Sequence, residues 1–147
     1  MSKLKNLIAG LAGAVALNIL HETLKKKSDN VPRVDLLGED ALQRTLNYFG
    51  GNIDHKETLY NATLAGDIVG NTLYYSIIGA GNAKYLWPKV IFVGLSAGIG
   101  AVKLPKPMGL DETPVAKNDQ VKVLTVGYYL FGAIVTGLAV KMLSKSS

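Results

Sequence analysis

Four apolar stretches run along the chain, separated by segments rich in Lys, Asp, Asn, Gly and Pro. The clearest one, residues 123–140, has eighteen residues without a charge and is flanked by Lys122 and Lys141. At about 1.5 Å of rise per residue, such a helix nearly matches the hydrocarbon core of a bilayer, which is roughly 30 Å thick. The pattern therefore predicts a transmembrane helix.

The stretch over residues 90–102 is shorter in its uncharged part. It extends to residues 85–104 if Lys89 and Lys103 direct their ammonium groups outward. Trp87 then lies where aromatic side chains gather at a membrane surface. We expect a second transmembrane helix over this longer range.

The stretch over residues 62–80 is long enough to span a membrane but contains Asp67 and Asn71, four positions apart. An ionised carboxylate in lipid costs on the order of 3 kcal/mol, so Asp67 must face a partner, a cavity or a proton. With Thr63 the two side chains form one stripe of a predicted helix over about 55–80. This stripe fits either a hydrogen-bonded strut or a ligand or proton site.

The first stretch, residues 7–20, makes only about 21 Å of helix, which is also the length of a signal-peptide core. Ala14 and Ala16 satisfy the small-x-small cleavage pattern. The helical pattern nevertheless continues past Ala16 to His21. We therefore predict an uncleaved membrane helix over about 6–27.

The connection after this helix carries a pattern of its own, "VPRVDLLGEDALQRTLNYFGG". It predicts a short amphipathic helix over about 36–49, with Asp35 as N-cap and Gly50 ending it. Such a helix lies on the membrane surface or caps the bundle. Asp54 and Glu57 then resemble a capping box that opens the next helix.

The last loop precedes a fourth helix, predicted over about 114–143, with Thr113 as N-cap and Pro114 as its first residue. The chain is thus predicted to be a single membrane domain over residues 1–147 of the all-α class. Its architecture is a four-helix transmembrane bundle with a short amphipathic interfacial helix in the first loop. Ten Lys and Arg residues lie beside loops one and three and six on the side of the termini. By the positive-inside rule, the long first loop faces the cytoplasm.

Composition agrees with lipid surroundings. Hydrophobic residues make up 48% of the chain and aromatic residues only 7%, and there are 16 glycines. The net charge of +5 lies beside apolar segments and not along an aromatic-interleaved stripe, which favours membrane lipids over nucleic acid as partners. The absence of cysteine excludes disulfides and thiolate metal sites.

Small residues recur four positions apart in three of the predicted helices. Such faces allow helices to approach closely in lipid. They predict contacts within the chain, or contacts with a second copy or a partner membrane subunit. The residues are Gly10 and Ala14, then Ala62, Gly66 and Gly70, then Gly94 and Gly98.

Polar residues at the loop-one end of the bundle form the candidate ligand-binding site. Asn18, His21, Glu22 and Lys25 advance by three and four and so share one face of the first helix. The predicted site is a membrane-edge pocket walled by His21, Glu22, Arg33, Asp35, Asp67 and Asn71. The alternative is that His21 and Glu22 are interface residues, while the neighbouring lysines contact phosphate headgroups.

No catalytic or metal motif accompanies these residues. The HExxH spacing is absent because Lys25 stands four positions after His21, and neither a Walker sequence nor GxSxG occurs. We therefore predict no metal and no cofactor, and assign no catalytic residue.

The segments "LHETLKKK", "PRVDLLGEDAL" and "LYNATLAGDIVGNTLYY", between residues 20 and 75, resemble a family of small bacterial multi-pass integral-membrane proteins of uncharacterised function. The resemblance implies a multi-pass fold in the cell membrane, the bacterial inner membrane. It implies no activity, substrate or catalytic residue.

Three functions remain open at this point. The favoured one is a helical bundle that binds a lipid, small molecule or partner subunit through the polar pocket. The second is an enzyme acting on a lipid or lipid-linked substrate at the cytoplasmic face, with Glu22 or Asp35 as base, His21 as proton donor and Arg33 holding an anion. The third is an oligomeric transporter or channel gated by protonation of Asp67.

Overall fold

The computed structural model describes residues 1–145, and this part of the chain is helical and contains no strand. Two single-turn 3-10 segments, Ile77–Gly79 and Ala83–Tyr85, connect the third helix to the fourth. The helices are α1 (Lys3–Lys25), α2 (Val34–Tyr48), α3 (Lys56–Ser76), α4 (Leu86–Lys103), α5 (Thr113–Ala116) and α6 (Asp119–Lys145).

Three helical segments are long and apolar enough to cross a membrane. They are Lys3–Lys25, Ala83–Lys103 and Asp119–Lys145, and they indicate a membrane protein. Four transmembrane helices are predicted from the sequence. The remaining one, α3, is long enough to span a membrane but is less apolar than the other three, because it includes Asn61, Asp67 and Asn71.

The long helices pack in the order α3, α1, α6, α4. The largest contacts are those of α1 with α3 and α6, and of α6 with α4. Consequently α3 and α4 are the end members of this order, and the Tyr74 hydroxyl of α3 lies 2.5 Å from Ser96 Oγ of α4. The helix α2 packs across α3 and α5 at the loop-one end.

Small residues allow the α1 contacts to be close. A Cβ at Gly10 would lie 2.4 Å from the carbonyl oxygen of Thr72, and one at Gly13 would lie 1.9 Å from Oγ1 of Thr136. Real Cβ atoms do not approach other atoms so closely, so α1 can take only glycine at these two positions. The expectation of close contacts within the chain is confirmed for this helix.

Contacts within the chain are also confirmed for the small residues of α4. Within residues 1–145 they are absent for those of α3, where a contact with a second copy or a partner subunit stays a prediction. Gly94 and Gly98 pack against α6, where Val126 Cα would lie 2.6 Å from a Cβ at Gly98. Gly66 and Gly70 meet no atom of the described chain within 4 Å. The small-residue face of α3 is therefore uncovered, because α1 packs on another side of that helix.

The exterior of the four long helices is apolar and their interior holds polar groups. Large apolar side chains point outward from every one of them, including Ile19, Leu73, Phe92 and Leu138. Thr136 is fully buried and donates its hydroxyl to the carbonyl of Gly132 at 2.9 Å. An apolar exterior of this extent favours lipid over water as its surroundings.

Three predicted helix caps are wrong, those at Asp35, Asp54 and Thr113. The interfacial helix begins at Val34, and Arg33 occupies the N-cap position. Asp35 lies inside the first turn, where its carboxylate binds side chains and does not cap the helix. Likewise α3 follows His55 without a side-chain cap, and Asp54 accepts a hydrogen bond from Asn52.

The helix predicted over 114–143 is divided in two. Thr113 is the first residue of α5, with Glu112 in the cap position, and α5 ends after a single turn. The side chain of Asn118 then accepts a hydrogen bond from the Val121 amide at 2.9 Å. This contact caps a new helix start, so α6 begins independently at Asp119.

Candidate functional site

A small cavity lies between α1, α2 and α3 at the loop-one end. Five of the six predicted ligand-binding residues line it, namely His21, Glu22, Asp35, Asp67 and Asn71. Its volume is about 30 Å³, which is room for one or two water molecules. The sixth residue, Arg33, contacts Asp35 from the outer side of this chamber.

Asp35 is the centre of an ion-pair cluster that joins α2 to α1. Arg33 binds both of its carboxylate oxygens, with Nε and Nη2 at 2.9 and 2.8 Å. His21 Nε2 lies 3.2 Å from Oδ1, although its N–H is not aligned for a hydrogen bond. Lys25 Nζ lies 3.5 Å from Oδ2. The cluster therefore holds the first turn of α2 against the end of α1.

These contacts set the charge state of Asp35. Burial raises the pKa of this carboxyl, but His21 and Arg33 outweigh burial and hold the pKa well below its usual range. Conversely, the Asp35 carboxylate raises the pKa of Arg33. Asp35 is thus ionised near neutral pH, and its low proton affinity makes it a poor general base there.

Glu22 belongs to the same cluster through α3. Lys25 Nζ lies 2.8 Å from Glu22 Oε2, and the Tyr60 hydroxyl donates to Oε1. The Lys25 ammonium also stands 4.8 Å from the centre of the Tyr60 ring. Tyr60 was missed by the sequence reasoning, although it lies on the polar stripe of α3, seven positions before Asp67.

Asp67 has no such partners. Within residues 1–145 it makes no hydrogen bond and no ion pair shorter than 4 Å. Gly38 of α2 lies directly over it, since a Cβ there would stand 3.4 Å from both carboxylate oxygens. The chamber also contains the buried Thr63 hydroxyl, which has no hydrogen-bond partner in the described chain. The chamber therefore contains polar groups that the protein itself leaves unsatisfied.

A larger groove begins where the chamber ends. It occupies about 480 Å³ between α3 and α4, with Tyr129 of α6 in its wall. The Tyr74 hydroxyl and Ser96 Oγ, 2.5 Å apart, connect its two sides. Apolar side chains of α2 and of the segment after α4 line its loop-one end, including Leu37, Leu104, Met108 and Leu110. Asp67 and Asn71 line both spaces, so the groove and the chamber meet at these two residues.

No protein-family model, curated protein or solved structure matches this chain.

The arrangement is better suited to binding than to acid–base chemistry. His21 has a carboxylate oxygen within 4 Å of each ring nitrogen, at 3.2 Å from Asp35 and 3.7 Å from Glu22. Asp35 and Glu22 therefore flank the imidazole ring on both sides. Arg33, the expected anion holder, is already bound through two contacts to Asp35. No group of three or more His, Asp and Glu side chains in the described chain is arranged to hold a metal ion.

Proposed function

We propose that this protein is a multi-pass protein of the bacterial inner membrane that binds a lipid or another amphiphilic small molecule. In this proposal α1, α3, α4 and α6 all cross the bilayer, and the loop carrying α2 faces the cytoplasm. The ligand occupies the groove between α3 and α4, and its polar end reaches the chamber through Asp67 and Asn71.

The separation of apolar and polar side chains on α3 supports the proposal that this helix crosses the bilayer. Val69 and Leu73 are exposed on its outer surface. Asp67 and Asn71 face the chamber and the groove instead. A helix whose polar residues face a cavity can cross lipid although its average composition is less apolar.

One observation carries the binding proposal. An apolar groove at the edge of the bundle leads directly to a chamber in which Asp67 and Thr63 have no protein partner. Ligand sites are typically apolar spaces with a few polar groups that orient the ligand. A molecule with an apolar chain and one polar end matches an apolar groove that ends in a polar chamber. A fully polar solute would leave the groove unfilled.

The test is to fill the groove without touching the chamber. Ala97 lines the groove on α4, so Ala97→Trp should displace the ligand. Ala65→Trp introduces the same side chain on the exposed surface of α3 and serves as the matched control. Native mass spectrometry of protein released from lipid nanodiscs should show bound amphiphile for the parent and for Ala65→Trp, and little for Ala97→Trp. Equal retention by both variants would contradict binding in the groove.

A further inference from the structure

The carboxylates around the chamber differ in whether the protein neutralises them. Asp35 has Arg33 at 2.8 Å, and Glu22 has Lys25 at 2.8 Å. Asp67 has no cationic group within 4 Å in the part of the chain that the structure describes. The charge of Asp67 is therefore not neutralised by the described residues.

Protein atoms cover part of Asp67, which is half-buried. Gly38 of α2 covers Asp67 from the loop side, and Thr63 beneath the same glycine is only 5% exposed. The remaining approach to the carboxylate is along the apolar groove. In lipid, a carboxylate in such a position is stabilised by a proton or by a cationic partner that enters along the groove.

The groups beside Asp67 favour a donor as that partner. Thr63 stands one turn before Asp67 and its buried hydroxyl has no hydrogen-bond partner in the described chain. Asn71 stands one turn after it and lines both spaces. A carboxylate, a hydroxyl oxygen and an amide oxygen on one helix stripe together offer three acceptors. A primary ammonium offers three donors and no acceptor, so it matches this set.

We propose that Asp67 binds the protonated primary amine of an amphiphile whose apolar chain lies in the groove between α3 and α4. This inference rests on the proposed function and names its ligand class. A bare Ca²⁺ ion fits less well, because it takes six to eight oxygen ligands and would leave the groove empty. The amine can belong to an aminoethyl lipid headgroup or to a free long-chain amine, since both present the same ammonium to Asp67.

The experiment compares ligands that differ only in the polar end. Dodecylamine and dodecanol are titrated at pH 7 into the full-length protein in a maltoside detergent, and binding is followed by native mass spectrometry. We expect dodecylamine to bind at least about tenfold more tightly, because a hydrogen bond to a charged group is stronger than one between neutral groups. Asp67→Asn should remove this preference. Asp119→Asn, an exposed Asp at the start of α6, should keep it.

A lipid comparison separates the two sources of the amine. In nanodiscs, phosphatidylethanolamine should be retained in preference to phosphatidylcholine if the headgroup is the source, because a quaternary ammonium has no N–H to donate. If only dodecylamine is preferred, the source is a free amine.

Each adverse result has a distinct meaning. Equal binding of dodecylamine and dodecanol to the parent would overturn the amine proposal while leaving amphiphile binding intact. This comparison uses the parent protein alone and does not depend on the folding of a variant. Retention of the preference in Asp67→Asn would also overturn it. If no amine, alcohol or lipid binds, the proposed function itself fails. Should Asp67→Asn not fold, Asn71→Leu replaces it, and an unchanged amine preference there would count against the three-acceptor site.

Discussion

Replacing Asp35 by Asn tests whether the ion-pair cluster holds α2 over the chamber. The substitution keeps the shape of the side chain but removes the charge that faces Arg33, His21 and Lys25. A matched control exists in the same helix. Asp40 pairs with Arg44 at 2.9 Å, but the Arg44 side chain is 57% exposed. Asp40→Asn therefore makes the same chemical change in a solvated pair.

The two substitutions should differ clearly in their effect on the free energy of unfolding. Breaking a buried ion pair by removing one partner typically costs 3–5 kcal/mol. The Arg33 side chain is 39% exposed, so water recovers part of this loss and we expect about 2 kcal/mol for Asp35→Asn. For Asp40→Asn we expect about 0.3–0.5 kcal/mol, the usual range for an exposed i,i+4 pair.

The same ion pairs also predict how the free energy of unfolding changes with pH. The pKa of Asp35 lies below its usual range in the folded protein, so the unfolded chain binds this proton more readily. The stabilisation is therefore complete above the ordinary aspartate pKa of about 4 and is lost as the pH falls below that value. Parent and Asp35→Asn should converge in stability at low pH, whereas parent and Asp40→Asn should remain close throughout.

Urea unfolding in detergent measures the global effect, and a cysteine at Thr63 measures the local one. Thr63 is buried beneath Gly38, so maleimide should label Thr63→Cys only when α2 moves away. Labelling should be faster in the Asp35→Asn background than in the Asp40→Asn background. Equal labelling, with equal and small losses of stability, would refute the role given to the cluster.

Two further predictions concern the bundle. Cysteines at Ser2 and Asn82 should label from one side of the membrane and one at Ser28 from the other; labelling of Ser2 and Ser28 from the same side would show that α1 does not cross. Gly13→Ala should lower the free energy of unfolding by about 1–3 kcal/mol or more because its Cβ has no room, while Gly66→Ala should not lower it. Equal stability of the two glycine variants by urea unfolding would contradict the α1 packing.

Helical spacing alone was enough to bring most of the candidate site together. His21 and Lys25 share a face of α1, and Asp67 and Asn71 share a face of α3. In the structure all but Lys25 line the chamber, and Lys25 pairs with Glu22 at its edge. The same periodicity extends to Tyr60, so this residue was within reach of the sequence.

What the sequence could not indicate depends on contacts between distant segments. The contacts of Asp35 with His21 and Lys25 depend on α2 folding back toward α1, and no local pattern indicates them. Similarly, the sequence does not indicate that Gly38 packs closely on α3, because that contact depends on the position of α3 beneath α2. The break after α5 was missed because Thr113 and Pro114 already indicate a helix start, and the second start, which Asn118 caps, follows within a few residues.

The helix that is least apolar is also the one that forms most of the chamber wall. Tyr60, Thr63, Asp67 and Asn71 occupy one stripe of α3, and their polarity excludes α3 from the segments apolar enough to cross a membrane by composition. If α3 crosses, it does so because that stripe is turned toward α1 and the groove, leaving an apolar exterior. Insertion of α3 then depends on α1, whose Gly10 gives the backbone of Thr72 its close approach. In this proposal, binding at Asp67 and insertion of α3 are both consequences of the same helix contact.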